Sequence, residues 1–263
     1  MLFRSAFSTR IGGSSGSYFA SMNLGFNRGD PDDNVKTNYS LFCEAVGIET
    51  KQLVFASQTH STVIRNVGPD NAGEGFDRPT LITGYDGLST GSTGLMLATL
   101  YADCVPLYFY DPVCRAVALS HAGWRGTLND MAGETIRHMT ETFGTKPQDL
   151  LMGIGPSIGP CCFEVGADVA YAFRSLPSDI TDEAVKDRSD KADRPDADPA
   201  DFRPHIDLQL INRRLAQKKG VRAANIETAG ICTACNSDLL FSHRASEGKR
   251  GSLCAVIGIK VNV

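Results

Sequence analysis

The chain lacks any apolar run near the roughly 20 residues that a bilayer-spanning helix requires, so no membrane segment is expected. Its start, Met1-Leu2-Phe3-Arg4-Ser5-Ala6-Phe7, has no secretory hydrophobic region, and a cytoplasmic location follows as an expectation. Charge of one sign is also missing. Twenty-six Lys and Arg against 30 Asp and Glu leave a formal charge of -4, which argues against a broad nucleic-acid or anionic-membrane footprint. No linker and no internal repeat interrupts the 263 residues, so they are read as a single domain, 1–263, with one sizeable core. Eight cysteines are present, but without an export signal they read as thiols or ligands rather than disulfides.

Helical spacing of apolar residues predicts helices over Asp33–Val46, Thr127–Phe143, Val165–Leu176 and Ile206–Lys219. Short apolar runs rich in β-branched and aromatic residues predict strands at Gln52–Ala56, Thr62–Val67, Gly94–Leu100, Val105–Tyr110, Ala116–Ser120, Leu150–Ile154 and Leu253–Val261. Helices and strands interleave, so the class is mixed α and β, α+β in the broad sense. Lys186–Pro204, with alternating charge and three prolines, reads as a solvated, mobile loop.

Three stretches carry the chemistry: Ser57-Gln58-Thr59-His60, Ala102-Asp103-Cys104-Val105-Pro106, and Ser120-His121-Ala122-Gly123-Trp124-Arg125-Gly126. Each places an imidazole or thiol at the edge of an apolar run. His60, Cys104 and His121 are ligand types that zinc or copper prefers, and three protein ligands leave a fourth position open, as in catalytic sites. Spacing alone leaves open that the three never meet. The junction from Ala116–Ser120 through Gly123 and Gly126 into a helix exposes backbone amides, and Arg125 adds a fork suited to an anion, although any strand-to-helix turn uses glycines.

Asp103 and Asp86 are candidates for general base or for orienting a ligand imidazole, while Asp86-Gly87 also reads as a simple turn. Arg10 precedes a Gly/Ser stretch, through Gly16, that reads either as an anion cradle or as a plain link between elements. Cys161-Cys162 reads as a pair of buried thiols, and Cys232-x-x-Cys235 as half of a zinc ribbon with no matching second pair. His138 reads as surface, His205 follows Pro204 before a helix, and His243 neighbours Arg244.

Taken in order, Phe7-Ser8-Thr9-Arg10, Met22-Asn23-Leu24-Gly25, Gln58-Thr59-His60, Ala102-Asp103-Cys104-Val105-Pro106, His121-Ala122-Gly123-Trp124-Arg125-Gly126, Gly155-Pro156-Ser157-Ile158 through Glu164-Val165, Cys232-Thr233 and Phe241-Ser242-His243-Arg244 closely resemble the YfiH-like family, also labelled multicopper polyphenol oxidase or laccase-domain proteins. The resemblance runs nearly end to end. It implies a four-layer α/β/β/α sandwich with zinc (or copper as an alternative ion) on His60, Cys104 and His121. It further implies a purine nucleoside enzyme that phosphorolyses adenosine, inosine, guanosine and methylthioadenosine and deaminates adenosine, or, as in some relatives, an editor of peptidoglycan precursors. Ser61 stands where the family usually has Gly, and the stretch from Lys186 looks like an elaboration.

On this reading the partners are purine nucleosides and phosphate, with neither nucleic acid nor membrane, and the chain is a monomer or weak homo-oligomer. His60, Cys104, His121, Asp103 and Asp86 are the catalytic set, and Arg10, Arg125 and Arg244 are candidates to hold phosphate. Two other classes stay open. Cys104 activated by His121 would make a cysteine hydrolase acting on an amide, and a cell-wall precursor binder would turn over nucleosides only incidentally. A true laccase needs on the order of ten histidines by family analogy, with imidazole the favoured copper ligand; the chain has five.

Overall fold

The computed structural model describes residues 3–188 and 203–260. In chain order these form β1 (Phe3–Phe7), α1 (Asp32–Val46), β2 (Leu53–Phe55), β3 (Ile64–Asn66), β4 (Gly87–Thr90), β5 (Met96–Tyr101), β6 (Val105–Asp111) and β7 (Ala116–Ala122). The second half adds α2 (Trp124–Leu128), α3 (Met131–Phe143), β8 (Leu151–Ile154), α4 (Ala167–Arg174), α5 (Ser178–Thr181), β9 (Val185–Arg188), β10 (Arg203–Ile206), α6 (Leu208–Lys218), β11 (Ile226–Thr228) and β12 (Leu253–Ile259). One sheet runs β1-β12-β5-β2, a second runs β11-β8-β6-β7-β4-β3, and β9 pairs with β10 alone.

Strand periodicity explains how the two large sheets meet. In β7, Val117 and Leu119 pack with Leu97, Leu253, Ala255 and Ile257 of the four-stranded sheet, and two-residue alternation puts His121 on that same face. The alternate residues Ala116, Ala118 and Ala122 join the cluster of Met131, Ile136 and Met139 from α3 and Ile211 and Leu215 from α6. Their small side chains let the helices approach the sheet closely. On the far side of the four-stranded sheet, α1 buries Val35, Tyr39, Phe42 and Cys43 against Leu53, Met96, Ala98 and Val256. Each large apolar side chain buried this way contributes about 1.5–3 kcal/mol, and the Tyr39 hydroxyl is satisfied by Leu24 O at 2.6 Å.

The mixed α/β class holds, as do the positions of most predicted elements. The helix expected over Thr127–Phe143 is two helices. Asp130 between them stands at φ +61°, and its carboxylate caps α3 by accepting from Gly133 N. Strand β7 runs two residues further than expected and takes in His121. The loop expected over Lys186–Pro204 is strand at both ends, where β9 and β10 pair antiparallel; its middle, 189–202, lies outside the described residues. Among the described residues no helix is long and apolar enough to cross a membrane.

Candidate active site

The site forms where loops of both sheets meet. Cys104 lies in the bend between β5 and β6, His121 near the end of β7, and His60 in the loop after β2. Their ligand atoms all fall within 4.8 Å of one another, and the two imidazole rings stand edge to face with centroids 5.0 Å apart. His121 is buried, Cys104 half-buried and His60 exposed, so the group opens to solvent on one side.

Asp86, fully buried just before β4, organises this arrangement. Its Oδ1 lies 2.9 Å from His121 Nδ1. Its Oδ2 accepts from Thr59 N at 2.9 Å and Ser61 N at 2.7 Å, the amides on either side of His60. That grip holds His60 at φ +61°, a region costing a non-glycine residue roughly 1–3 kcal/mol. Ser61 adds a hydroxyl bond to Gly84 O at 2.9 Å. With Nδ1 facing a carboxylate, His121 carries its proton there and presents Nε2 to the cavity, the usual carboxylate–histidine support of a metal ligand.

Charge follows geometry. Burial pushes the Asp86 carboxyl up, but the His121 bond and the Thr59 and Ser61 amides outweigh it and hold the group at about 2. Burial also opposes Cys104 ionisation; the charge of His121 and bonds from His121 and His60 bring the thiol down to about 6. His121, despite burial, is raised to about 9 by the Cys104 thiolate and Asp86. Without a metal each of the two side chains favours the charged form of the other.

Gly123 lies against His60 and Cys104. A Cβ there would meet His60 Cδ2 at 3.0 Å and Cys104 Sγ at 3.1 Å, so any side chain would make these two groups give way by a few tenths of an ångström. Two nitrogens and one sulfur, converging on one point with a supporting carboxylate, fit a zinc ion and also suit copper.

A cavity of about 300 Å³ opens over these residues, lined also by Arg28, Gln58, Tyr101, Arg250 and Ser252, at the lower end of the ~300–1,000 Å³ typical of small-molecule sites. No acidic side chain is among its lining residues. Burial, then the charge of Arg28, lowers the Arg250 guanidinium to about 10, and Arg250 Nε is buried with no hydrogen-bond partner among the described residues. A second cavity of about 350 Å³, lined by Phe3, Tyr108, Tyr110 and Leu151, contains no comparable cluster.

Sequence reading missed Arg28 and Arg250. Asn23 joins their loops, its Oδ1 accepting from both Gly25 N and Ser252 N at 2.9 Å. Gly25 lets Arg28 and Ser252 pass close, since a Cβ there would meet Ser252 Oγ at 2.5 Å and Arg28 Nε at 3.2 Å. The three arginines singled out from sequence do not line the cavity. Arg10 donates to Ala20 O and Ser237 O, Arg244 to Cys162 O and Glu164 O, and Arg125 stacks on Trp124 at 4.1 Å. Asp103, at φ +88°, also points elsewhere: its oxygens accept from Thr233 Oγ1 at 2.6 Å and Arg244 N at 2.7 Å.

The remaining histidines do not gather. His138 is half-buried on α3 rather than on the surface and bonds Ser89 Oγ at 2.8 Å; His205 lies in β10 and His243 is exposed. Among the described residues, the ligand groupings fit to hold a metal ion are His60–Cys104–His121 and a cluster of four cysteines. A trinuclear copper centre built from imidazoles has no place to form.

The chain is 33% identical to the purine nucleoside phosphorylase YlmD of Bacillus subtilis (strain 168) over 255 residues, 97% of this chain and 87% of that protein. It is 34% identical to a purine nucleoside phosphorylase of Bacteroides thetaiotaomicron, covering 95% and 89%. The crystal structure of YlmD from Geobacillus stearothermophilus superposes with a TM-score of 0.88 at 33% identity, over 98% of this chain and 92% of that one. Residues 4–260 match the family model described as multi-copper polyphenol oxidoreductase laccase, and the chain belongs to that family.

Proposed function

We propose that the chain is a purine nucleoside phosphorylase that also deaminates adenosine, with both reactions in the cavity above His60, Cys104 and His121. The observation that carries the reading is the pairing of Arg28 and Arg250 with that ligand group across one acid-free cavity. Arg28 and Arg250 repel each other, and although Arg250 Nη1 donates to Gly251 O and Ser252 Oγ at 3.2 Å, its Nε is buried and unpaired, so an anion between the two guanidinium groups is favoured. Phosphate meets that need, and the relatives named above supply the reaction class.

In phosphorolysis a phosphate oxygen bonds to C1′ of the ribose as the C1′–N9 bond breaks, and the purine leaves with that electron pair and takes a proton. Arg28 and Arg250 hold the phosphate and align it with C1′, where positive charge develops as the bond to the purine breaks. Asp86 fixes His121 through Nδ1 and the His60 turn through the flanking amides, so that Nε2 of His121 and the Cys104 sulfur keep their aim. His60, Cys104 and His121 would hold a zinc ion, which would supply Lewis acidity for water activation and for polarising the purine. Asp103, engaged on both oxygens, serves to hold the Cys104 bend rather than to carry protons.

The test is substitution of each arginine. Hydrogen bonds to charged groups contribute about 1.5–3 kcal/mol, so Arg28→Ala and Arg250→Ala should each raise the KM for phosphate by roughly tenfold to a hundredfold while phosphate-independent inosine formation persists. Unchanged phosphate dependence in both variants would remove the anion assignment.

One observation favours a second reading. The lowered Cys104 thiol, His121 and Asp86 form a nucleophile–base–orienter arrangement, which suits a cysteine amidase acting on a cell-wall precursor. Metal-free protein that traps a thioester and cleaves an amide would favour that reading over the zinc enzyme.

A further inference from the structure

Behind the Cys104 bend lies a second cluster of sulfur. Cys161 and Cys162 sit in the turn after Gly159, where Cys162 N and Phe163 N both donate to Gly159 O. Cys232 and Cys235 sit on another turn, closed by Asn236 N donating to Cys232 O at 3.2 Å. Ser157 joins the two segments: its amide donates to Ile231 O and its carbonyl accepts from Thr233 N. The four sulfurs come within 4.8 Å of one another, with Cys235 Sγ 3.4 Å from both Cys161 Sγ and Cys162 Sγ. All four are free thiols. The separated half-motif of the sequence thus finds its second pair in adjacent cysteines 70 residues away, and these are not the buried thiols expected: Cys161 is exposed and Cys162 half-buried.

We propose that Cys161, Cys162, Cys232 and Cys235 bind one zinc ion as a closed four-thiolate site, separate from the His60–Cys104–His121 group. Tetrahedral zinc with bonds of about 2.3 Å places its sulfurs roughly 3.8 Å apart, close to the 3.4 Å that separates Cys235 Sγ from Cys161 Sγ and Cys162 Sγ and inside the 4.8 Å limit that holds for all four. Four soft thiolates with no open position are the donor set of structural rather than catalytic zinc. The backbone is shaped for it. Gly159 N donates to Cys232 Sγ at 3.2 Å, an arrangement that favours the thiolate, and a Cβ on Gly159 would press on Cys232 Cβ at 3.1 Å and Cys161 Sγ at 3.3 Å.

The site's consequence runs to the cavity. Arg244 donates to Cys162 O and Glu164 O, while its own amide donates to Asp103 Oδ2. Thr233, next to Cys232, donates to Asp103 Oδ1, and Ile158 N donates to Asp103 O. Both cysteine-bearing segments therefore clasp the residue before Cys104. The zinc fastens those segments together and so fixes the bend that presents the Cys104 sulfur.

Zinc content per chain tests this without reference to turnover, so it can fail or succeed independently of the nucleoside reading. Full-length protein expressed with zinc and purified under reducing conditions should hold two zinc ions, Cys104→Ala one, and Cys232→Ser/Cys235→Ser one. Two ions in the double-serine variant, or none in Cys104→Ala, would overturn the proposal. Should the double-serine variant fail to fold, X-ray absorption on Cys104→Ala decides the matter: the expected shell is four sulfurs at about 2.3 Å with no nitrogen. A mixed nitrogen–sulfur shell, or a mass lower by two hydrogens marking a Cys–Cys bond in place of metal, would overturn it equally.

Discussion

Asp86 sets the aim of two imidazoles with one carboxylate, taking His121 Nδ1 on one oxygen and the amides flanking His60 on the other. In Asp86→Asn the amide nitrogen would donate toward His121 Nδ1, move the ring proton to Nε2 and cap the nitrogen that faces the cavity. Loss of such a supporting group typically costs about 10–100-fold in metal affinity. Zinc competition titration should show that loss with the fold intact by circular dichroism; unchanged affinity would contradict the role. The same residue sets a pH limb of stability in metal-free protein. Its carboxyl is lowered from the usual value to about 2, so its contribution of ~2 kcal/mol is complete above pH 5 and is lost as pH falls from about 4 through 2. The stability gap between wild type and Asp86→Asn, followed by denaturant melts, should narrow over that window. Cys104 offers a second residue-level check: because its thiol is lowered to about 6, alkylation of metal-free protein should rise with an inflection near pH 6, well below the ~8.5 of a free thiol, and zinc should suppress it. The sequence named both residues, but it gave Asp86 an equal claim to being an ordinary Asp-Gly turn, because nothing local reveals that its carboxylate is buried beneath His60.

At the scale of elements, the junction from β7 through Gly123 into α2 brings a strand end, a ligand and a tight turn together. Its glycine is favoured by the close approach of His60 and Cys104 rather than by its backbone angles, since φ at Gly123 is -71°. Gly123→Ala should therefore fold normally yet weaken zinc at this site, because the added carbon displaces the His60 ring, the more exposed of its neighbours. Retained zinc affinity with full activity would show that the ligands have more room than the structure gives them. This junction was legible because an apolar strand, two glycines and a helical pattern follow one another directly. Other elements were hidden. Strand β4 is buried on both faces but has one large apolar residue, Leu88, and β11 has three residues, too few for a period to register. The break between α2 and α3 depends on Asp130 adopting a left-handed conformation, which apolar spacing cannot reveal.

At the scale of the molecule, the cavity draws on chain positions that no spacing rule connects. Pairing of β1 with β12 brings the two ends of the chain together, and Asn23 then ties the loop of Arg28 to that of Arg250. Local motifs led instead to Arg10 and Arg244, whose guanidinium groups are spent on backbone carbonyls. The gathering of histidines is a whole-molecule property too. With two in the site and three dispersed, protein loaded with copper should oxidise phenols no faster than the free ion; rapid oxidation with four-electron reduction of oxygen to water would restore the laccase reading. The central claim is tested most directly by chromatographic analysis of adenosine incubated with zinc-quantified protein, with and without phosphate, in wild type and Cys104→Ala. The account predicts adenine only when phosphate is present, inosine with or without it, and neither from the variant. Full conversion by Cys104→Ala, or no turnover by wild type with its zinc in place, would contradict it.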